Sequence, residues 1–91
     1  MYITINHLDD YMNRVKVGDE LSLRPDPDNP YDDEALKVMD AKGTQVGWVA
    51  NSVCTVARGT YSAGRVYDQL QNMPRCKVLF ILDDRAIAEI F

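Results

Sequence analysis

The chain has 91 residues, of which 46% are apolar, and its 10 basic and 14 acidic residues give a formal net charge of −4. This length fits one domain over residues 1–91, and the apolar share is typical of folded rather than disordered proteins. The negative charge excludes nucleic-acid binding through a general positive field, so any such binding needs a local pocket.

Strands and a fixed loop are predicted for the first half of the chain. Alternating apolar residues indicate strands at 2–5 and 20–24, with a brief helical turn over residues 8–14 between them. Residues 25–33 contain three prolines and predict an ordered loop. Strands follow at 35–39 and 44–50, and the hairpin turn between them gives Gly43 a positive φ.

Two helices and two further strands complete the predicted order. Asn51 or Ser52 caps a helix that stops near Gly59, and Ser62 caps a second helix that reaches about residue 71. The apolar run 77–82 fits a strand buried on both faces, and residues 86–91 form the last strand. We therefore predict an α+β fold, mainly β, in which about six strands form a small barrel with one or two short helices.

The cysteines and the single histidine form no recognisable metal site. Cys54 and Cys76 are not in a C-x-x-C pair, and together with His7 they cannot supply four zinc ligands. We expect both cysteines to be small buried hydrophobic residues, and we expect neither a metal nor a cofactor. The chain lacks a long apolar run and a signal-peptide pattern, which predicts no membrane contact and a cytoplasmic location.

Three sequence blocks between residues 18 and 49 share a family pattern. They read G-D-E-L-S-L-R over 18–24, P-D-P-D-N-P-Y-D-D-E-A-L-K-V over 25–38 and G-T-Q-V-G-W-V over 43–49. These blocks resemble the HIRAN domain, which has a G-x-x-L-x-L strand, a D/E-P-x-N-P-Y-D loop, an A-I/L-x-V strand and a G-x-x-V/I-G-aromatic strand. The resemblance implies a barrel related to OB and SH3-like folds, and a stand-alone member of the kind found in bacteria.

The resemblance also implies a function. Characterised HIRAN domains bind the free 3′ end of single-stranded DNA in a pocket, where the loop tyrosine contacts the terminal nucleotides and the next aspartate accepts a hydrogen bond from the 3′-hydroxyl. These roles fall on Tyr31 and Asp32, with Asn29 shaping the loop and Trp48 in the aromatic position near the pocket. An aromatic face stacks on any base, and a carboxylate accepts from a hydroxyl but repels a phosphate.

Several departures remove cationic contacts that the family uses. Pro25 stands where the family has an arginine directly before the loop. Asp9 and Asp10 take the places of an Arg-Tyr pair, with Tyr11 as a displaced aromatic, and Asn51 takes the place of a lysine that contacts phosphate. We therefore include Tyr11 and Asn51 among the candidate binding residues, but we expect binding in isolation to be weak.

Alternatives stay open for the loop and for the whole chain. The loop residues either meet a ligand or close a tight turn, with Tyr31 packed on the barrel rim and Asp32 capping the next strand. Trp48 either touches the nucleic acid or is partly buried at the rim. The chain is either a nucleic-acid module in DNA repair or processing, or a protein-interaction domain that binds a helicase or nuclease through a barrel edge or an acidic face. We expect no enzyme, because no nucleophile–base pair is visible.

Overall fold

The computed structural model describes residues 1–8, 15–32, 34–52, 55–67 and 74–91. In chain order its elements are β1 (Tyr2–Asn6), β2 (Glu20–Pro25), β3 (Leu36–Met39), β4 (Gln45–Val49), α1 (Ala63–Tyr67), β5 (Arg75–Leu82) and β6 (Arg85–Ile90). Neighbouring strands are antiparallel, and the sheet closes into a barrel in the order β1-β4-β3-β2-β5-β6. The predicted small, mainly β barrel of six strands is confirmed.

Alternation along the strands fills the inside of the barrel. Leu21 and Leu23 of β2 are buried, as are Leu36 and Val38 of β3, whereas their neighbours along each strand are more exposed. Successive side chains of a strand point to opposite faces, so one set from each strand meets inside a closed sheet. The other strands and α1 contribute to the same core Ile3, Ile5, Val46, Val49, Ala63, Val66, Cys76, Val78, Ala86 and Ala88.

Closure of the barrel depends on β6. Ala88 of β6 lies opposite Ile3 of β1 on one side and opposite Val78 of β5 on the other. Each of the six strands therefore has a hydrogen-bonded neighbour on both sides. A closed barrel has no free edge to pair with another chain, so the expected use of a barrel edge for a protein partner is wrong.

The helix predicted from Asn51 or Ser52 to Gly59 is wrong. In the described part of this segment the backbone N–H groups of Thr55 and Val56 both donate to the Ser52 carbonyl, at 2.9 Å, and no helix continues from there. The reason is a tertiary contact. The buried Thr4 hydroxyl oxygen accepts from the Ala57 N–H at 3.0 Å and bonds the Thr60 hydroxyl at 2.8 Å, which holds the segment in turns against β1.

The prediction of a strand buried on both faces at 77–82 is also wrong. β5 does include this run, but its residues alternate between buried and exposed, and Phe80 and Leu82 are 60% and 63% exposed. Continuous apolar strands are buried on both faces only where another layer covers each side of the sheet. Here the inner face of β5 looks into the barrel, and its outer face carries exposed apolar side chains.

The start of α1 and the buried cysteine agree with the sequence predictions. The Ser62 cap is confirmed, since its hydroxyl oxygen accepts from the Arg65 N–H at 3.3 Å at the start of α1. The continuation of that helix to residue 71, residues 9–14 of the helical turn predicted over 8–14, and Cys54 lie outside the described residues. Cys76 is buried as predicted, and burial raises the pKa of its thiol to about 12. None of the helical residues described here forms a segment long and apolar enough to cross a membrane.

Candidate functional site

A groove of about 560 Å³ opens beside the proline-rich loop, next to the end of β1 and the end of β4. We call it the loop groove. Five of the predicted binding residues line it, although they come from three separate parts of the chain: Asn29, Tyr31, Asp32, Trp48 and Asn51. The remaining predicted residue, Tyr11, lies outside the described residues.

Tyr31 presents its ring to solvent at the groove. Its side chain is 95% exposed, so it does not pack on the barrel rim, and that alternative is wrong. The backbone is nevertheless fixed, because the Tyr31 N–H donates to Asn29 Oδ1 at 2.9 Å. A large aromatic ring held on an ordered loop and left uncovered is available for stacking by a ligand.

Asn29 organises the loop around Tyr31. Its Oδ1 accepts from the backbone N–H groups of Tyr31 and Asp32, at 2.9 and 3.2 Å. Its Nδ2 donates to Asp26 Oδ2 at 3.3 Å. These bonds form an Asx-type turn, which explains how a segment with several prolines holds one conformation.

Asp32 has structural partners at both carboxylate oxygens. Oδ1 accepts from the Glu34 N–H at 2.9 Å, as expected for a residue that caps the approach to β3. Oδ2 accepts from Asn51 Nδ2 at 2.7 Å. A carboxylate oxygen can accept two hydrogen bonds, so each oxygen keeps one acceptor position after these contacts. The capping role and a ligand-binding role are therefore compatible in this side chain.

Asn51 connects Asp32 to α1. While its Nδ2 donates to Asp32, its Oδ1 accepts from the Gly64 N–H at 2.7 Å. A Cβ at position 64 would lie 3.1 Å from Asn51 Oδ1 and 2.7 Å from Glu34 Oε1, so this close approach favours glycine. The amide oxygen of Asn51 is occupied and one of its two amide hydrogens bonds Asp32, so Asn51 positions Asp32 in addition to lining the loop groove.

Trp48 lies on β4 between two strands. It is partly buried and is opposite Asn6 of β1 on one side and Lys37 of β3 on the other. Its position on a paired strand gives the loop groove a second aromatic side chain, on a rigid element opposite the loop that carries Tyr31. Two aromatic side chains at one groove are typical of sites that hold single-stranded nucleic acid.

The sequence did not predict the part that the end of β1 takes in the groove. Asn6 and His7 both line it, together with Ser52 and Thr55. Asn6 Oδ1 is buried without a hydrogen-bond partner in the described chain, and His7 has a φ of 61°. The resemblance places this part of the site at residues 9–11, which lie outside the described residues, and the pairing of β1 with β4 brings residues 6 and 7 to the groove.

Other surface features offer less chemistry. A hollow of about 590 Å³ near the start of β2 has no aromatic side chain among its described lining residues, and its Arg75 is paired with Glu20 at 2.8 Å. No group of three or more histidine, cysteine or acidic side chains within the described ranges could hold a metal ion. The loop groove is therefore the better candidate for a ligand that stacks on aromatic rings.

Comparison with known proteins agrees with this architecture. No curated protein matches the chain. The structure is similar to the crystal structure of the HIRAN domain of human HLTF, with a TM-score of 0.76 and 23% sequence identity, over 99% of this chain and 71% of that chain. At this identity the likeness shows the fold. The family model of the HIRAN domain matches residues 2–79, which is most of the chain. The chain therefore belongs to the HIRAN domain family.

Proposed function

We propose that the chain is a non-enzymatic module that binds the 3′ end of single-stranded DNA in the loop groove, in DNA repair or processing. The observation that carries the proposal is Tyr31, whose side chain is 95% exposed on a loop held by hydrogen bonds. The same groove contains Trp48 and Asp32. Family membership supports the assignment, because characterised HIRAN domains bind such ends.

The chemistry of the groove favours an end over an internal nucleotide. Tyr31 and Trp48 offer stacking, which is worth about 1–3 kcal/mol per base and does not depend on base identity. Asp32 accepts from the terminal 3′-hydroxyl through a free lone pair, and it repels the phosphate that an internal nucleotide carries at that position. An acidic chain can therefore bind a DNA end while rejecting the rest of the strand.

The proposal is tested by fluorescence anisotropy at low salt. The probes are 5′-labelled single strands that end in a 3′-hydroxyl, a 3′-deoxy sugar or a 3′-phosphate. We expect the 3′-hydroxyl strand to bind most tightly and the 3′-phosphate strand most weakly. Tyr31→Ala should weaken all three strands by about 5- to 100-fold, the equivalent of one lost stacking contact. Asp32→Ala should abolish the difference between the ends.

Matched controls separate these effects from damage to the loop. Tyr31→Phe keeps the ring and should bind like the wild type. Asp28→Ala removes the same charge from the same loop at an exposed position outside the groove lining, and should keep the preference for the 3′-hydroxyl. Equal binding of the three strands by the wild type, or no binding at high micromolar protein, would contradict the proposal.

A second candidate function is supported by the outer face of β5. Phe80 and Leu82 are large apolar side chains exposed on a strand. Exposed apolar side chains that lie together are typical of protein-interaction sites. If the chain binds no DNA, a protein-interaction domain that uses this face, with a helicase or nuclease as partner, is the function to test next.

A further inference from the structure

A second hollow adjoins the loop groove. It has a volume of about 340 Å³ and lies between the turn segment after Ser52 and α1, and Asn51 lines both it and the loop groove. We call it the arginine hollow, because Arg58 and Arg65 line it, with Thr60 and Ser62 beside them. The amide that holds Asp32 therefore also marks the boundary between the two hollows.

The arginine hollow has the opposite charge to the chain as a whole. Among the residues that the structure describes, its lining contains two arginines and no aspartate or glutamate, in a chain with a net charge of −4. Both arginines are exposed, and the Arg65 guanidinium lies 4.8 Å from the centre of the Tyr61 ring, which restricts where it points. Arginine is well suited to phosphate, because its planar donor groups can bond two phosphate oxygens at once.

The carboxylates near Asn51 make the surface on the loop side of the arginine hollow negative. Asp32 bonds Asn51, and Glu34 approaches the position of Gly64. Phosphates are repelled by these groups and attracted by Arg58 and Arg65. A strand whose terminal nucleotide lies in the loop groove is thus repelled on the side of the acidic loop and attracted on the side of the arginine hollow.

We propose that the arginine hollow binds phosphates of the same single strand, upstream of the terminal nucleotide. The inference rests on the proposed function and extends it, since it adds a backbone site to the end-reading groove. The arginine hollow also supplies positive charge. In this chain the places that carry the family's cationic contacts, before the loop and at residues 9, 10 and 51, hold no cation. The terminal hydroxyl and the backbone are then recognised by separate groups of residues.

The test compares the double variant Arg58→Gln/Arg65→Gln with the control Arg24→Gln/Arg85→Gln. Both lose two positive charges, and both control positions are exposed and line neither hollow as the structure describes them. The probes are a 5′-labelled dodecamer and a dinucleotide with free 3′-hydroxyls, titrated over a range of NaCl concentrations. Melting temperatures establish that each variant is folded.

For the dodecamer we expect the test variant to bind about tenfold more weakly at low salt. The slope of log affinity against log salt concentration should become shallower by about 1.4, the value for two lost phosphate contacts on a single strand. The dinucleotide, which has a single internucleotide phosphate, should change much less. The ratio of affinities for 3′-hydroxyl and 3′-phosphate ends should stay that of the wild type.

The outcomes distinguish failure of this inference from failure of the proposed function. If the wild type prefers the 3′-hydroxyl end and the test variant behaves like the control, the arginine hollow is not a phosphate site, although the end-reading groove stands. If both double variants weaken binding equally, the arginines act only through the overall charge, and the inference is overturned. If the wild type binds no DNA, both proposals fail.

Discussion

A single amide group, that of Asn51, places the carboxylate on which the proposed end selection depends. We predict that Asn51→Asp destabilises the protein at neutral pH, because it sets a second carboxylate against Asp32 while Oδ1 can still accept from Gly64. Two carboxylates at this distance in the variant cannot both ionise freely, so one of the pair binds a proton at a higher pH than an isolated carboxyl group, and the lost stability should return as the pH falls from about 7 to about 4. Urea unfolding across this range measures the effect.

The wild type is the reference for that experiment, and Asn51→Ala is its companion. The alanine variant leaves Asp32 and Gly64 without their partner, so we expect it to lose about 1–3 kcal/mol. Unlike Asn51→Asp, it should show no recovery at low pH relative to the wild type. A pH profile of Asn51→Asp that runs parallel to the wild type would show that Asp32 does not depend on this contact. A preference for the 3′-hydroxyl that survives in both variants would contradict a positioning role.

The residues of the loop groove differ in how far the sequence could predict them. Asn29 acts on Tyr31 and Asp32, which are two and three residues away, so a short local pattern contains the whole interaction. Asn51 meets Asp32 across 19 residues and Gly64 across 13. No local pattern encodes such contacts, because they depend on where separate strands and turns are placed by the closed barrel. The sequence therefore predicted Asn51 as a site residue but not its contacts with Asp32 and Gly64.

At the scale of the elements, β1 and β4 approach each other closely at Gly47. A Cβ there would lie 2.7 Å from the Asn6 carbonyl oxygen and 2.8 Å from Ile5 Cγ2. We predict that Gly47→Ala forces the two strands apart and costs about 1–3 kcal/mol, the usual penalty for overfilling a packed interior. Because Asn6 lines the loop groove, DNA-end affinity should fall as well. Chemical denaturation and the anisotropy titration measure the two effects.

Gly64→Ala is the matched control for that prediction. Its Cβ would lie 2.7 Å from the end of the flexible Glu34 side chain, which can move away, and 3.1 Å from Asn51 Oδ1, so the strain falls on side chains and not on backbone. Alanine also favours a helix over glycine by about 1 kcal/mol. Its stability should therefore fall less than that of Gly47→Ala. Equal losses in the two variants would show that the backbone of β1 can yield to the added methyl group at Gly47.

The elements were predicted well where burial on one face sets the pattern, and poorly where tertiary contacts decide. The alternation of Leu21 and Leu23 is enough to identify β2, because only one face of each strand is packed inside the barrel. The segment after Ser52 begins with a good helix cap, but Thr4 on β1 accepts the Ala57 N–H and draws the backbone into turns. Only the fold brings Thr4 to this segment.

For the molecule as a whole, the closing strand lies beyond the part of the chain that defines the family. The family model matches residues 2–79, whereas β6 spans Arg85–Ile90 and pairs with both β1 and β5. Without β6 the barrel would expose two strand edges and the side chains that Ala86 and Ala88 cover. The region that the family model matches in this chain is thus shorter than the closed barrel.

We predict that a chain ending at Asp83 does not fold, although it contains the whole matched region. The lost strand pairing and burial should exceed about 5 kcal/mol, the lower end of the stability of natural domains. We expect an NMR spectrum in which the amide proton shifts have little dispersion, and no cooperative thermal transition. A chain ending at Ile90 is the control, because it keeps β6. It loses the Phe91 contacts, which are a backbone hydrogen bond of 2.9 Å to Arg75 and the stacking of the Arg75 guanidinium on the Phe91 ring. It should therefore fold with a slightly lower melting temperature. A dispersed spectrum from the shorter chain would mean that five strands suffice and that β6 only seals a barrel already formed.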